Sequence, residues 1–291
     1  TKRARITTAL AALPGLLRGN PPELRQLAEP LCARLLRVGG EPGFEDLGPA
    51  RRRALVSVLV PEGGRRAALR FLISEFAAQD LVLSTRVLIL DVLAEVAREL
   101  SNRPGAEEAG PGAAPGAKAS TPPGQPGPQR ASGDRVGRTR RFASATRVAA
   151  SLPNLFASEL RHFVLPLVAR WRQPDDGAAR WAAGEPMVVG ALLQCLGVLV
   201  ECGGAACPDR DAAAGECLGL AEEFLGHGEP HVRRCSVYLL SRVLLVGAED
   251  IVWSRASLFD RIDHMSLHEG DEVCRRMMAG VVACLRQRAA P

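Results

Sequence analysis

The chain has 291 residues, of which 47% are hydrophobic and 24% charged, which excludes a disordered or fibrous protein and allows a sizeable core. Aromatic residues make up only 4%, and Ala, Leu and Val carry most of the apolar weight, so the composition favours helix packing over a β-sandwich. The net charge of +5 divides into +4 for residues 1–100, +4 for 101–141 and −3 for 142–291, which excludes a uniformly basic face.

Helix signals begin close to the N-terminus. Asn20 is a typical helix-capping residue and is followed by Pro21, which is favoured in a first helical turn, and Gly39-Gly40 provides the stop. In Leu81–Ser101 the apolar residues repeat with the helical period over most of the circumference. The pattern predicts one helix between Asn20 and Gly39, and a second, largely buried helix at 81–101.

The second half of the chain has the same character. Residues 186–200 are apolar almost all round and predict an inner helix, but they fall short of the roughly 20 residues that span a bilayer. We therefore expect no membrane association. Val232, Leu239 and Val243 line one face of a later helix, and no pair of strands with a hairpin turn is readable.

The spacing of these helices predicts the fold class. Helix pairs of roughly 40 residues, each able to bury its apolar face only against its neighbours, are typical of an α-solenoid. The sequence thus predicts an all-α, HEAT/armadillo-like α-solenoid of stacked antiparallel helix pairs.

One segment interrupts this rhythm. Residues 102–141 are rich in Pro and Gly, contain almost no large apolar side chain and end in several arginines, a composition that predicts a disordered linker. The predicted organisation is a helical-repeat module at 1–101, this Pro/Gly-rich linker at 102–141, and a second helical-repeat array at 142–291.

Motifs that mark catalysis are missing from the sequence. The nearest approach to a phosphate-binding loop, residues 112–118, has its lysine one place late, and neither a His-Glu-x-x-His pattern nor a Gly-x-Ser-x-Gly turn occurs. Five histidines without a strained nucleophile turn make a triad improbable. We expect no enzyme activity, no catalytic residue and no cofactor.

The thiols and histidines raise the question of zinc. Five cysteines and two histidines fall within 195–235, but none form the close Cys-x-x-Cys pairs that structural zinc sites use. His264 and His268 are one helical turn apart and lack a third ligand nearby. We interpret the eight cysteines as reduced core thiols, which predicts a cytoplasmic or nuclear protein without a metal site.

Clustered arginines are the remaining candidates for binding. They could contact an acidic partner surface or phosphate groups, although the simplest interpretation is a solvated helix face, and no aromatic residue accompanies them to stack on bases. The candidate contact residues are Arg51, Arg52, Arg53, Arg65, Arg66, Arg135, Arg138, Arg140 and Arg141.

Several short segments occur in a distinctive order. They are Ala12-Leu13-Pro14-Gly15-Leu16-Leu17-Arg18, Ala33-Arg34-Leu35-Leu36, Phe71-Leu72-Ile73-Ser74-Glu75-Phe76 and Ala97-Arg98-Glu99-Leu100-Ser101. With these segments, Leu10–Ser101 resembles the helical module of the telomere length regulation protein family. The resemblance continues more loosely beyond the linker, through Asn154-Leu155-Phe156 and Phe163-Val164-Leu165-Pro166-Leu167.

The resemblance implies a scaffold and not an enzyme. Members of this family are helical-repeat adaptors that join two other helical-repeat subunits in the triple-T co-chaperone complex. With a heat-shock chaperone adaptor, they help to assemble and stabilise phosphatidylinositol-kinase-related protein kinases. The resemblance therefore implies effects on telomere length and DNA-damage signalling, and a location in cytoplasm and nucleus that extends to telomeric chromatin.

Two other hypotheses stay open. The alternative function is telomeric DNA binding by the basic linker, which would weaken steeply with salt and be lost when Arg135, Arg138, Arg140 and Arg141 become Ala. The third hypothesis, an unrecognised enzyme, would require a deep polar pocket with convergent histidine and carboxylate groups.

Overall fold

The described residues of the computed structural model, 2–38, 47–78, 80–101, 154–172 and 185–289, form α-helices and contain no β-strand. This confirms the all-α fold class. In chain order the helices are α1 (Lys2–Leu17), α2 (Leu24–Arg37), α3 (Gly48–Leu59), α4 (Glu62–Phe76), α5 (Leu83–Leu100), α6 (Leu160–Arg172), α7 (Pro186–Gly203), α8 (Arg210–Phe224), α9 (Pro230–Val246), α10 (Glu249–Trp253), α11 (Ala256–His268) and α12 (Glu272–Ala289).

The helices pack in two rows. In the first row, α1, α3, α5, α7 and α9 each contact the next, and α12 packs on α9. In the second row, α2, α4, α6 and α8 follow one another in the same way. A chain that alternates between two rows of neighbouring helices is a stack of helix pairs, as the α-solenoid prediction requires.

The central helix of the first row is α7. Its apolar side chains pack most extensively against α5 and α9, and Leu192, Leu196 and Leu199 have no exposed surface. Among the described residues, α7 alone is long and apolar enough to cross a membrane by length and composition, but 72% of its 18-residue window is buried against the rest of the protein. The structure therefore accounts for its composition as that of a core helix, as the sequence predicts.

Leu100 and Leu155 meet across the predicted linker. The Leu155 N–H donates a hydrogen bond of 3.1 Å to the Leu100 carbonyl oxygen, and the Asn154 side chain donates to the Cys202 and Gly203 carbonyls at the end of α7. The chain thus returns beside the point where it leaves α5. Residues Thr1–Gly105 and Asn154–Pro291 belong to one compact unit.

The predicted linker, 102–141, lies outside the described residues, as does the rest of 102–153. The division into modules at 1–101 and 142–291 stays a prediction. Within the described residues, α6 continues the row of α4, and α7 continues the row of α5.

A buried or half-buried arginine recurs as the fourth residue of several helices. Arg65 of α4 donates to the Leu59 and Val60 carbonyls at the end of α3, and Arg86 of α5 donates to the Ala78 carbonyl just after α4. Arg233 of α9 donates to the carbonyls of residues 227 and 228 before its own helix. Each guanidinium satisfies carbonyl groups that have no partner within a helix, and its charge is favourable near a helix C-terminus.

Arg65 also joins parts of the chain on the two sides of residues 102–153. Its guanidinium lies 3.3 Å from a carboxylate oxygen of Glu159, in the turn before α6, and the two side chains are 8% and 11% exposed. Two charges removed from water in this way are stable only while each retains its partner. Arg65 therefore couples the packing of α3, α4 and the start of α6.

Asn20 does not cap α2, so that prediction is wrong. The helix begins at Leu24, and Asn20 adopts a positive φ of 47° in the preceding turn. Its side-chain oxygen instead accepts a 3.2 Å hydrogen bond from the Gly63 N–H in the first turn of α4. A Cβ atom on Gly63 would lie 2.7 Å from that oxygen, so a larger residue there would force the Asn20 side chain to shift.

Replacing Arg65 with Met should destabilise the fold strongly. The change leaves Glu159 without its buried partner and removes the donors to Leu59 and Val60, so we expect the free energy of unfolding to fall by about 3–5 kcal/mol. Arg66→Met is the matched control, because Arg66 is 67% exposed and 4.0 Å from Glu159; it should cost less than about 1 kcal/mol. Urea denaturation measures both, and equal losses would contradict the assignment.

Two ion pairs connect α9 to the turn before α12. They should make the free energy of unfolding depend on pH in the acidic range. Hydrogen bonds from Arg234 lower the pKa of Asp271 to about 2, and those from Arg233 lower the pKa of Glu269. Both carboxylates therefore stabilise the fold above their ordinary pKa values, and this stabilisation is lost as pH falls from about 4.5 towards 2.

Asp271→Asn should make the free energy of unfolding depend less steeply on pH in the acidic range. The variant can still accept the Cys274 N–H that Asp271 caps, but it has no charge to lose. Urea denaturation between pH 5 and pH 2, values chosen to bracket these titrations, should show a shallower slope for this variant than for the unchanged protein. Asp260→Asn, at an exposed position on α11, is the control and should keep the original slope. Identical slopes for all three proteins would refute the coupling.

Candidate protein-docking site

An open groove of about 750 Å³ lies between α1, α3 and α5, and we call it the α1–α3–α5 groove. Leu10 and Pro14 of α1 and Val56 of α3 supply apolar surface to its lining. Charged side chains of both signs complete it: Arg18, Arg53, Glu62, Glu95 and Glu99. Apolar surface bordered by charged groups is the usual composition of a protein-binding surface.

The helix packing explains how these groups come together. Helix α3 packs between α1 and α5 in the first row, so side chains from three helices can face one space. On α5, Glu95 and Glu99 are four residues apart and therefore share one face. Arg53 reaches the groove from α3, and Arg18 follows the end of α1.

The acidic pair gives the groove a distinct electrostatic character. Arg52 forms a 3.2 Å ion pair with Glu95. Burial, together with the neighbouring charge of Glu95, raises the pKa of Glu99, and Arg18 opposes this rise. The groove thus presents carboxylates along α5, and Arg18 and Arg53 elsewhere in its lining. Basic groups of a partner could pair with the carboxylates, and acidic groups could pair with the arginines.

The predicted arginine contacts divide into buried and exposed members. Arg51 is 8% exposed and Arg65 is 6% exposed, so neither offers a surface to a partner, and this part of the prediction is corrected. Burial also lowers the pKa of Arg51. Arg53 and Arg66 are exposed, and Arg52 is half-buried beside Glu95.

The basic end of the predicted linker cannot be placed in the same way. Arg135, Arg138, Arg140 and Arg141 lie outside the described residues. The hypothesis of telomeric DNA binding depends on these four residues and stays a prediction. The candidate arginines within the described residues lie on α3 and α4. Three of them form ion pairs within the fold: Arg52, Arg65 and Arg66.

The thiols are packed in the core. Cys195, Cys202, Cys207, Cys217 and Cys235 are buried thiols that form no disulfide. Burial raises the pKa of Cys217 to about 12 and that of Cys235 to about 11. Thiols that stay protonated at neutral pH are poor nucleophiles and poor metal ligands.

Metal ligands do not assemble in the part of the chain that is described. No three histidine, cysteine, aspartate or glutamate side chains there are grouped so that they could hold an ion. Within residues 195–235, Cys235 Sγ lies 3.9 Å from His231 Nε2. His264 and His268 are exposed, with ring centroids 4.9 Å apart.

Sequence reasoning missed most of this groove. Of its charged residues only Arg53 was a candidate, because it belongs to a run of arginines. The spacing of Glu95 and Glu99 was a usable signal, since it puts two carboxylates on one face of α5. No local sequence pattern marks Arg18 as a groove residue, because its position in the groove depends on which helices pack beside α1.

Comparison with known proteins supports the interpretation of the sequence. A family model for telomere length regulation proteins matches residues 1–97. The telomere length regulation protein TEL2 homolog of Homo sapiens is 32% identical over 262 residues, which cover 83% of this chain. Residues 1–97 belong to the telomere length regulation protein family. The family match coincides closely with the predicted resemblance at Leu10–Ser101.

A second relative extends the similarity over a larger share of the chain. The TEL2 homolog of Xenopus tropicalis is 24% identical over 302 aligned positions, covering 94% of this chain. The chain spans 30% of the length of the human relative and 34% of the frog relative. No solved structure matches it significantly.

Proposed function

We propose that this chain is part of a non-enzymatic scaffold, a co-chaperone adaptor that helps to assemble and stabilise phosphatidylinositol-kinase-related protein kinases with the heat-shock chaperone system. Its direct partners are two other helical-repeat subunits of a triple-T complex, the kinases and a chaperone adaptor. Telomere length and DNA-damage signalling are affected through the supply of those kinases. The scaffold works in cytoplasm and nucleus.

The observation that carries the proposal is the α1–α3–α5 groove. It lies within residues 1–97, the part that the family model matches, and it combines apolar surface with carboxylates and arginines. The groove is open, and its lining contains no cysteine thiol. No set of metal ligands is assembled among the described residues. Such a surface is suited to bind another protein and not to transform a small molecule.

The occupant that fits this groove is an amphipathic helix of a partner protein. Side chains at intervals of three and four residues would place apolar groups against Ala11, Pro14 and Val60, which are exposed or half-buried in the groove lining. Basic groups of the partner would face Glu95 and Glu99, and acidic groups would face Arg53. This arrangement accounts for the two signs of charge around one apolar surface.

Charge reversal in the groove should reduce partner recovery. We expect a tagged full-length protein purified from its own cells to recover the two helical-repeat subunits and the kinases by mass spectrometry. Arg53→Glu should lower that recovery at least tenfold, because the new carboxylate would lie near Glu95 and Glu99 and repel acidic partner groups. Arg25→Glu, at an exposed position of α2 outside the groove, is the matched control and should recover partners normally.

The two parts of the proposal can fail separately. If the unmodified protein recovers neither subunit nor kinase, the scaffold function is wrong. If it recovers them and the Arg53 and Arg25 variants behave alike, the scaffold function survives, but the groove is not the docking site. Circular dichroism of both variants should show unchanged helix content.

A further inference from the structure

A second concave surface lies between α4 and α6, with a volume of about 410 Å³. Helix α4 contributes Arg70, Ile73 and Ser74, and α6 contributes His162, Pro166 and Arg170. On α4, Ile73 and Ser74 follow Arg70 by three and four positions, and on α6 the three residues are spaced by four, so each set lies on one side of its helix. We call this surface the α4–α6 cleft.

The lining of the cleft is basic. It contains two arginines, a histidine and a hydroxyl group, and no carboxylate. The carboxylate of Glu159, which precedes α6, is already engaged by Arg65 at 3.3 Å and by Arg66 at 4.0 Å. It is therefore not available to neutralise the cleft.

Arg70 is the most accessible of these groups. Its side chain is exposed, and its Nε–H donates to the Arg66 carbonyl oxygen at 3.3 Å, which fixes the direction of the guanidinium. Within the described ranges no carboxylate forms an ion pair with Arg70. Its terminal nitrogens can therefore donate to an anion that enters the cleft.

The chemistry of this lining selects a phosphoryl group. Guanidinium groups bind phosphate oxygens through paired, charge-assisted hydrogen bonds, and the Ser74 hydroxyl and His162 ring can add further donors. Pro166 and Ala169 supply exposed apolar surface beside these donors, which would contact uncharged residues next to a phosphorylated one. We propose that the α4–α6 cleft binds the phosphoryl group of a phosphorylated serine or threonine in a protein partner.

Two features favour a phosphorylated protein segment over nucleic acid. The cleft has no aromatic side chain in its lining on which a base could stack. It is also a single small cavity, whereas a nucleic-acid strand binds along a track of successive phosphate contacts. This inference does not depend on the kinase-scaffold proposal, since it concerns the isolated chain and a phosphate-bearing probe.

The test uses the purified 291-residue chain and fluorescence anisotropy. The probe is a fluorescein-labelled peptide pool with a central phosphoserine and randomised uncharged flanks, compared with the same pool carrying serine. We expect the phosphorylated pool to bind at least tenfold more tightly and its affinity to fall with salt. Equal binding of the two pools would overturn the proposal.

Variants locate the binding in the cleft. Arg70→Gln should weaken binding of the phosphorylated pool at least tenfold, and Arg25→Gln on α2 should leave it unchanged. Ser74→Glu is a second variant: it adds a negative charge at an exposed position of the cleft and should also abolish binding. If neither Arg70→Gln nor Ser74→Glu changes the affinity, the cleft is not the site.

Competition distinguishes the source of the phosphate. Inorganic phosphate and a single-stranded oligonucleotide should displace the phosphorylated pool only at concentrations at least a hundredfold above the unlabelled phosphopeptide pool. Displacement by inorganic phosphate at equal concentration would show a free-anion site, and displacement by the oligonucleotide would show a nucleic-acid site. Either result would contradict a site for a phosphorylated protein segment.

Discussion

The fold depends on satisfying the carbonyl groups that each helix leaves at its C-terminal end inside a packed array. Arg65 and Arg86 meet this need by reaching from the first turn of one helix to the end of the preceding one. Their charge suits the negative end of the helix dipole, and their long stems can be buried. Successive helices can therefore turn back closely on one another, as α3, α4 and α5 do.

This constraint also decides which arginines can serve in binding. Arg51 and Arg65, in the first turns of α3 and α4, are buried and so are withdrawn from the surface. Arg53 and Arg70, on outer faces of α3 and α4, remain exposed and line two different cavities. One row of helices thus carries a groove of mixed charge, and the other carries a basic cleft, each suited to a different protein ligand.

The sequence predicts the helices better than it predicts the sites. Helix α5 and the buried face of α9 follow from apolar periodicity, because the spacing alone determines which side chains share a face. Asn20 was misassigned because its hydrogen-bond partner, Gly63, is 43 positions away. Arg65 and Arg66 are identical neighbours in sequence, and only the position of Glu159 beside α4 separates the buried one from the exposed one.

The central claim is that helices on both sides of residues 102–153 form one array joined by Arg65 and Glu159. A double-mutant cycle with Arg65→Met and Glu159→Gln, measured by urea denaturation, tests this contact most directly. The two residues are 94 positions apart in sequence, so coupling can arise only if they meet in the fold. The structure predicts an interaction free energy of about 1–3 kcal/mol, whereas single-variant losses that add to within about 0.3 kcal/mol would contradict it.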